Sequence, residues 1–199
     1  MNFQSEQITN RERQEQIGEQ KQANIQKILF SLKATEQNLT LILISGLKKY
    51  NLSNSGPDLV LLGGPMRAIP GCGEITLFVS GFQADDDEYF AKRKKSIPSE
   101  FFNDKNTKSV KFNMEDALRH FQSTSTKVNE LLSAGIERWN AETGSNLKLN
   151  TKNCVADYLP TDDGVVCLVS GGKGLEVSSN INRKLKMIPY SFFERDVII

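Results

Sequence analysis

A single histidine, a single tryptophan and three cysteines in 199 residues leave little raw material for side-chain chemistry. Cys72, Cys154 and Cys167 are odd in number and form no CxxC pair, which argues against a disulfide framework or a zinc knuckle and suits a reducing compartment. Long hydrophobic runs are missing too. The longest, LTLILISGL, is half of the roughly 18 residues that a membrane span needs, and the leading MNFQSEQITNRERQ lacks the apolar centre of a secretory signal. The expectation is a cytoplasmic protein with no membrane span. Export by a specialised machine that reads its own signal is compatible with the same residues. With 25 Lys and Arg against 24 Asp and Glu, the formal charge of +1 gives no field able to gather nucleic acid non-specifically.

What is present is enough for a core. Hydrophobic residues make up 38% and charged residues 25%, a globular balance, and the length suits one domain. Residues 1–24 are mostly glutamine and charge, with Ile8 and Ile17 the only large aliphatic residues after the first methionine. They read as a polar arm, helical or partly disordered, ahead of a single α+β domain at 25–199. From Ile25 the positions Ile25, Ile28, Leu32, Thr35, Leu39, Ile42 and Gly46 step by three and four, the seam of an amphipathic helix. Unbroken from Glu6 to Lys49, such a helix would be roughly 66 Å long, more than a globule with a radius of gyration near ~16 Å absorbs. Gly18 and KATEQN at 33–38 are the expected interruptions, dividing it into two helices.

Further along, NLSNSGP is turn chemistry, and DLVLL and EITLFVSGF have strand composition. ADDDEYFAKRKKS at 84–96 places its acids first and its bases last, the order that complements a helix dipole, so a short helix is expected there, stopped by Pro98. KSVKF reads as a brief strand or extended link. Asn113 is placed to cap a long helix over 114–142, which Gly144 ends. NCVADYL suggests a further turn or two of helix, and GVVCLVSGG, LEVSS and KLKMIPY suggest closing strands. The fold class is therefore α+β: N-terminal helices and a long central helix packed on a small, mostly antiparallel sheet. An echo links LVLLGGPMRAIP with CLVSGGKGLEV and KLKMIP, but at this length it is close to chance and supports no repeat.

Chemistry that needs an imidazole has to use His120, which the spacing places on the central helix. Cys72 lies in a glycine-rich loop that offers a thiolate neither a helix terminus nor an adjacent cation, and Cys167, inside VVCLV, has the setting of a core residue. Cys154 is the better nucleophile, since the expected helix would place its free N–H groups beside it. The pair Asn153–Cys154 at a helix start, with His120 upstream, resembles permuted papain-like cysteine hydrolases. That resemblance implies a hydrolase or transferase with Cys154 as nucleophile, His120 as base and Asp157 or Asn153 orienting the base. In those families the histidine sits on a strand, whereas here it falls on a helix. LVSGGKG resembles the SGGxDS pyrophosphate loop of ATP-dependent adenylating ligases, but Gly174 stands where that motif has aspartate. Gly171, Gly172 and Lys173 remain as a weak anion contact. Asp85, Asp86, Asp87 and Glu88 lack EF-hand spacing, so neither a metal nor a cofactor is expected.

The function the sequence favours is non-catalytic: an interaction or assembly protein that engages a protein partner, or itself, through its N-terminal helical arm. Ile8, Ile17, Ile25, Ile28 and Leu32 would form the seam against another helix. The alternative is the cysteine-dependent hydrolase built on Cys154 and His120.

Overall fold

The spacing that starts at Ile25 becomes one unbroken helix, α1 (Phe3–Ser53), in the computed structural model, which describes residues 3–56, 58–83, 88–103, 113–152, 155–171 and 183–194. The expected interruptions at Gly18 and KATEQN do not occur. Lysine, alanine, glutamate and glutamine are good helix formers. Lys33 pairs with Glu36 at 3.2 Å, and the Thr40 hydroxyl donates back to the Glu36 carbonyl at 2.7 Å. Leu32 and Leu39 flank the stretch and both are buried, so a break there would remove one of them from a core. The central helix, α2 (Met114–Thr143), starts where its cap predicts: Asn113 Oδ1 accepts from the N–H groups of Glu115 and Asp116 at 2.9 and 3.3 Å. Gly144, at φ +62°, ends it.

Between the helices lie β1 (Leu59–Leu61), β2 (Ile69–Pro70), β3 (Glu74–Gln83) and β4 (Glu88–Pro98), and all pairing in this sheet is antiparallel to β3. The helix expected over 84–96 is thus corrected to a strand from Glu88 onward, residues 84–87 lying outside the described ones. An acid-to-base order contributes only about 0.3–1 kcal/mol to a helix end. A ladder running from Glu74 opposite Pro98 to Gln83 opposite Glu88 outweighs it. After α2 come β5 (Leu147–Leu149), the short pair β6 (Thr151–Lys152) and β7 (Val155–Ala156), then β8 (Tyr158–Pro160), β9 (Gly164–Gly171) and β10 (Lys184–Pro189). The helical turn expected in NCVADYL is likewise corrected, because β8 is held in the ladder of β9. LEVSS and KSVKF fall outside the described residues. The fold is α+β, with two long helices and small antiparallel sheets among the described residues.

The chain gathers into two compact units where the sequence suggests one body after residue 24. The first takes Met1–Ser31, Lys127–Lys152 and Ala156–Ile199; the second takes Leu32–Thr126 and Asn153–Val155. In the first, the inner face of β8–β10 contributes Tyr158, Val165, Cys167, Val169 and Ile188 to a core shared with Ile25 and Leu29 of α1 and Leu132 and Ile136 of α2. The Tyr158 hydroxyl donates to the Leu29 carbonyl at 3.4 Å, and Gln26 Nε2 to the Thr161 carbonyl at 3.2 Å. In the second, Ile75, Leu77, Val79 and Ile97 share a core with Leu39, Leu43 and Leu47 of α1 and Met114, Leu118 and Phe121 of α2. Gln122 Nε2 donates there to the carbonyls of Pro65 and Ala68 at 2.8 and 2.6 Å.

These units have the same construction, and the two halves of the chain correspond as structural repeats. Ile25, Leu29, Leu32, Leu39, Leu43 and Leu47 recur 89 positions later as Met114, Leu118, Phe121, Val128, Leu132 and Ile136, every one buried. Asn51 Nδ2 donates to the Leu59 carbonyl at 2.9 Å, and Asn140 Nδ2 to the Leu147 carbonyl at 2.8 Å. Leu59, Val60 and Leu61 face Gly81, Ser80 and Val79; Leu147, Lys148 and Leu149 face Gly171, Ser170 and Val169. Each last strand runs through Ile-Pro into a 3-10 turn whose last residue, a phenylalanine, meets a helix aromatic edge to face: Phe101 on Tyr50 at 5.4 Å, Phe192 on Trp139 at 5.2 Å. LFVSG of β3 corresponds to CLVSG of β9, a different pairing from the echo of LVLLGGPMRAIP with CLVSGGKGLEV. By element, each repeat places the N-terminal stretch of its helix in the unit that holds the other repeat's sheet.

The next phenylalanine of each turn, Phe102 or Phe193, is buried against a helix glycine. A β-carbon on Gly46 would fall on the Phe102 ring and one on Gly135 on the Phe193 ring, whereas Gly18 has nothing within 4 Å. Helix propensity favours alanine over glycine by about 1 kcal/mol, while overpacking costs roughly 1–3 kcal/mol. Gly18→Ala is therefore expected to stabilise the protein and Gly135→Ala to destabilise it. Urea denaturation of the two variants checks this; equal stabilisation would contradict the ring contact.

Candidate interaction surface

His120 stands exposed on α2, and Asp157 is exposed just before β8. Cys154 and Asn153 lie outside the described residues, as do Gly172, Lys173 and the Asp85–Asp87 string. The argument for activating Cys154 required a helix to begin there, and β7 and β8 follow instead; strands carry only small net dipoles. Cys167 belongs to the inner face of β9, where burial pushes its thiol up to about 12 and suppresses the thiolate. Cys72 is exposed in the turn between β2 and β3. Gly171 ends β9 at φ +94°, where a β-carbon would meet the Asn146 carbonyl, so this glycine serves a close backbone approach. Among the described residues no cluster of three His, Cys, Asp or Glu side chains is able to hold a metal ion, and no helix is long and apolar enough to cross a membrane.

The seam expected on the arm divides. Ile25 and Leu32 are buried in the chain's own cores and are not available to a partner, and the side chain of Ile8 lies outside the described ones. Ile17 and Ile28 are each 43% exposed. They are 11 residues apart, three helical turns, and so share one line along α1. A second line was missed by sequence reasoning. Phe30, Leu41 and Ile44 are 49, 64 and 37% exposed, and their spacing of 11 and 3 residues keeps them on one side of α1. Phe30 belongs to the first unit, Leu41 and Ile44 to the second.

The repetition supplies the comparison that gives these exposures meaning. Counting 89 positions on, Ile28 becomes Ala117, Phe30 becomes Arg119, Leu41 becomes Glu130 and Ile44 becomes Ser133. Both helices do the same work inward, and only α1 keeps large apolar side chains outward. Aligning the two repeats on IPSEFF and IPYSFF would have exposed this contrast in the sequence. The cavities tell less. One of about 390 Å³ beside Asn140 and one of about 250 Å³ beside Asn51 lie next to the asparagine ties of the two repeats and belong to the scaffold. Comparison with protein families, curated proteins and solved structures finds no match to this chain.

Two outcomes follow for the thiols. In the native protein an alkylating reagent labels Cys72 readily and Cys167 only on unfolding, read by peptide mass mapping; native labelling of Cys167 would contradict its burial. The folded Cys167 thiol titrates above its ordinary value of 9.0, so its contribution to stability is complete below pH 9 and declines as the unfolded thiol ionises toward pH 12. The stability gap between the wild type and Cys167→Ala is therefore expected to narrow above pH 9 in denaturation experiments; a constant gap would contradict it.

Proposed function

We propose that the chain is a non-catalytic interaction or assembly protein that engages a protein partner, or another copy of itself, through the outward side of α1. The observation that carries this reading is the asymmetry between two helices of one construction. Large aliphatic and aromatic side chains left in water contribute nothing to a core, and burying them against a partner recovers about 25 cal/mol per Å² of apolar surface. The matching positions of α2 are small or polar, so the inward packing of this helix does not require them to be apolar. Phe30, Leu41 and Ile44 provide the anchors on that side; Ile17 and Ile28 lie on the other flank of the helix, and Ile25 and Leu32 hold it to the body beneath.

The test borrows residues from the second repeat. Phe30→Arg, Leu41→Glu and Ile44→Ser together give α1 the outward residues that α2 already carries, so the melting temperature is expected to stay within about 5 °C of the wild type. Cross-linking and affinity purification of the full chain from its native source, quantified by mass spectrometry, should then lose bound protein by roughly tenfold or more, as removal of anchor residues does at interfaces. Undiminished recovery of the same partners by the triple variant would overturn the proposal.

A further inference from the structure

The outward side of α1 has a period as well as a composition. From Gln16 to Lys48 its outermost residues step alternately by four and three, and every residue on that path is exposed. Such steps average roughly 3.5 residues, the repeat that keeps one line of side chains facing a second helix over many turns. Ala23, Phe30, Ala34, Leu41 and Ile44 are its apolar members, and the path covers about 48 Å of one continuous helix at 1.5 Å per residue. In α2 the matching path runs from Asp116 through Arg119, Ser123 and Glu130 to Glu137 and holds no apolar residue. The seam therefore belongs to one helix and not to the construction both share.

Two of its features are complementary to themselves. Size alternates along the line, with Phe30 and Leu41 large and Ala23 and Ala34 small. Charge is separated, since Glu12 and Glu19 are exposed at the N-terminal end and Lys48 at the C-terminal end. Lys33, which flanks the middle of the seam, is held by Glu36 of its own helix at 3.2 Å. When two copies of α1 lie antiparallel with a two-fold axis level with Leu32, Phe30 of each falls on Ala34 of the other and Leu41 falls on Ala23. Lys48 then comes between Glu12 and Glu19 of the second copy, and Lys27 comes opposite Gln37, whose side-chain carbonyl accepts from it. Parallel helices would instead stack Phe30 on Phe30 and set Lys48 beside Lys48. We infer, resting on the reading that the outward side of α1 takes a partner, that this partner is a second copy of the chain, paired antiparallel along α1 in a two-fold dimer.

The polar members of the seam set its strength. Lysine and glutamine at seam positions cost stability while they fix register. The dimer is therefore weak and depends on concentration. A contact of this kind closes at two copies, because the same line of residues serves both sides of it.

Sedimentation equilibrium of the full chain from about 5 μM to 1 mM spans weak association. The wild type is expected to rise from 22.3 kDa toward twice that mass. Leu41→Glu, which installs the residue α2 carries at that place, should raise the dissociation constant at least roughly tenfold with an unchanged thermal melt. Orientation is read by thiols placed in a chain carrying Cys72→Ser and Cys154→Ser. On mild oxidation, Gln16→Cys with Lys48→Cys should give a covalent dimer and either substitution alone should not, because only facing positions bring two thiols within bonding reach. A wild type that stays monomeric at 1 mM, a Leu41→Glu variant that dimerises undiminished, or covalent dimers from Lys48→Cys alone would each overturn the inference. It fails separately from the reading it rests on. If the wild type is monomeric throughout and the Phe30/Leu41/Ile44 variant still loses bound protein, the second copy falls and α1 keeps a different partner.

Discussion

Phe102 and Phe193 each sit where a helix offers no side chain, and the rest of the arrangement depends on that contact. The ring fills the space a β-carbon would occupy at Gly46 or Gly135, so the 3-10 turn comes down on the helix at one position only. That position sets the last strand of the sheet, because Ile97-Pro98 and Ile188-Pro189 lead directly into the turns. The strand in turn sets the register of its neighbour: Ile75 opposes Ile97 and Val165 opposes Ile188, and all four are fully buried. A tie at the other end of the sheet completes the frame, where Asn51 and Asn140 bond the carbonyls of Leu59 and Leu147. Asparagine suits that place because its amide donates and accepts at once, and Asn140 uses both atoms on Leu147.

Repetition gives such a frame a particular freedom. The inward residues of both repeats answer to the same packing and keep their apolar character, even where the residue changes, as Leu32 to Phe121 or Leu77 to Cys167. Outward residues answer to solvent or to partners, and there the helices diverge. The first keeps Ile28, Phe30, Leu41 and Ile44 outward where the second is small or polar, while both sheets expose apolar residues, Val60 and Ile69 in one and Leu159, Leu185 and Met187 in the other. Exposed apolar residues scattered singly need no explanation. Grouping by element, with a polar counterpart in the same molecule, is what sets those of α1 apart.

Much of this was legible in the chain, and the failures have physical causes. The helix seam from Ile25, the Asn113 cap, the Gly144 stop and the strands around β1, β3, β9 and β10 follow from spacing and local chemistry, and they stand. ADDDEYFAKRKKS at 84–96 suggests a helix because its charge order suits a dipole, while the strand alternation is clear only from Lys94 to Ile97. The strands after Cys154 are two and three residues long, too short to display a period. Gly18 and KATEQN suggest breaks because local propensity says nothing about Leu32 and Leu39, on either side of KATEQN, both being buried in the second unit. The repeat was hidden because its anchors are single residues, and unequal loops shift the match from 89 positions in the helix to 90 at β3 and 91 at the final turn. Of the seam expected on the arm, Ile25 and Leu32 turn inward while Ile17 and Ile28 stay exposed, a division that spacing alone does not display.

The central claim is that each compact unit is assembled from both repeats, the N-terminal stretch of one repeat's helix belonging with the sheet of the other. The most direct measurement is to place a protease site in the connection between Asn103 and Asn113 of the full chain, cut it, and weigh the product by native mass spectrometry. The account predicts that the two pieces remain together at the mass of the whole chain and part only in denaturant, because Leu29 and Tyr158 share one core and Gln122 and Ala68 the other. Separation under native conditions into two folded pieces, one per repeat, would contradict it.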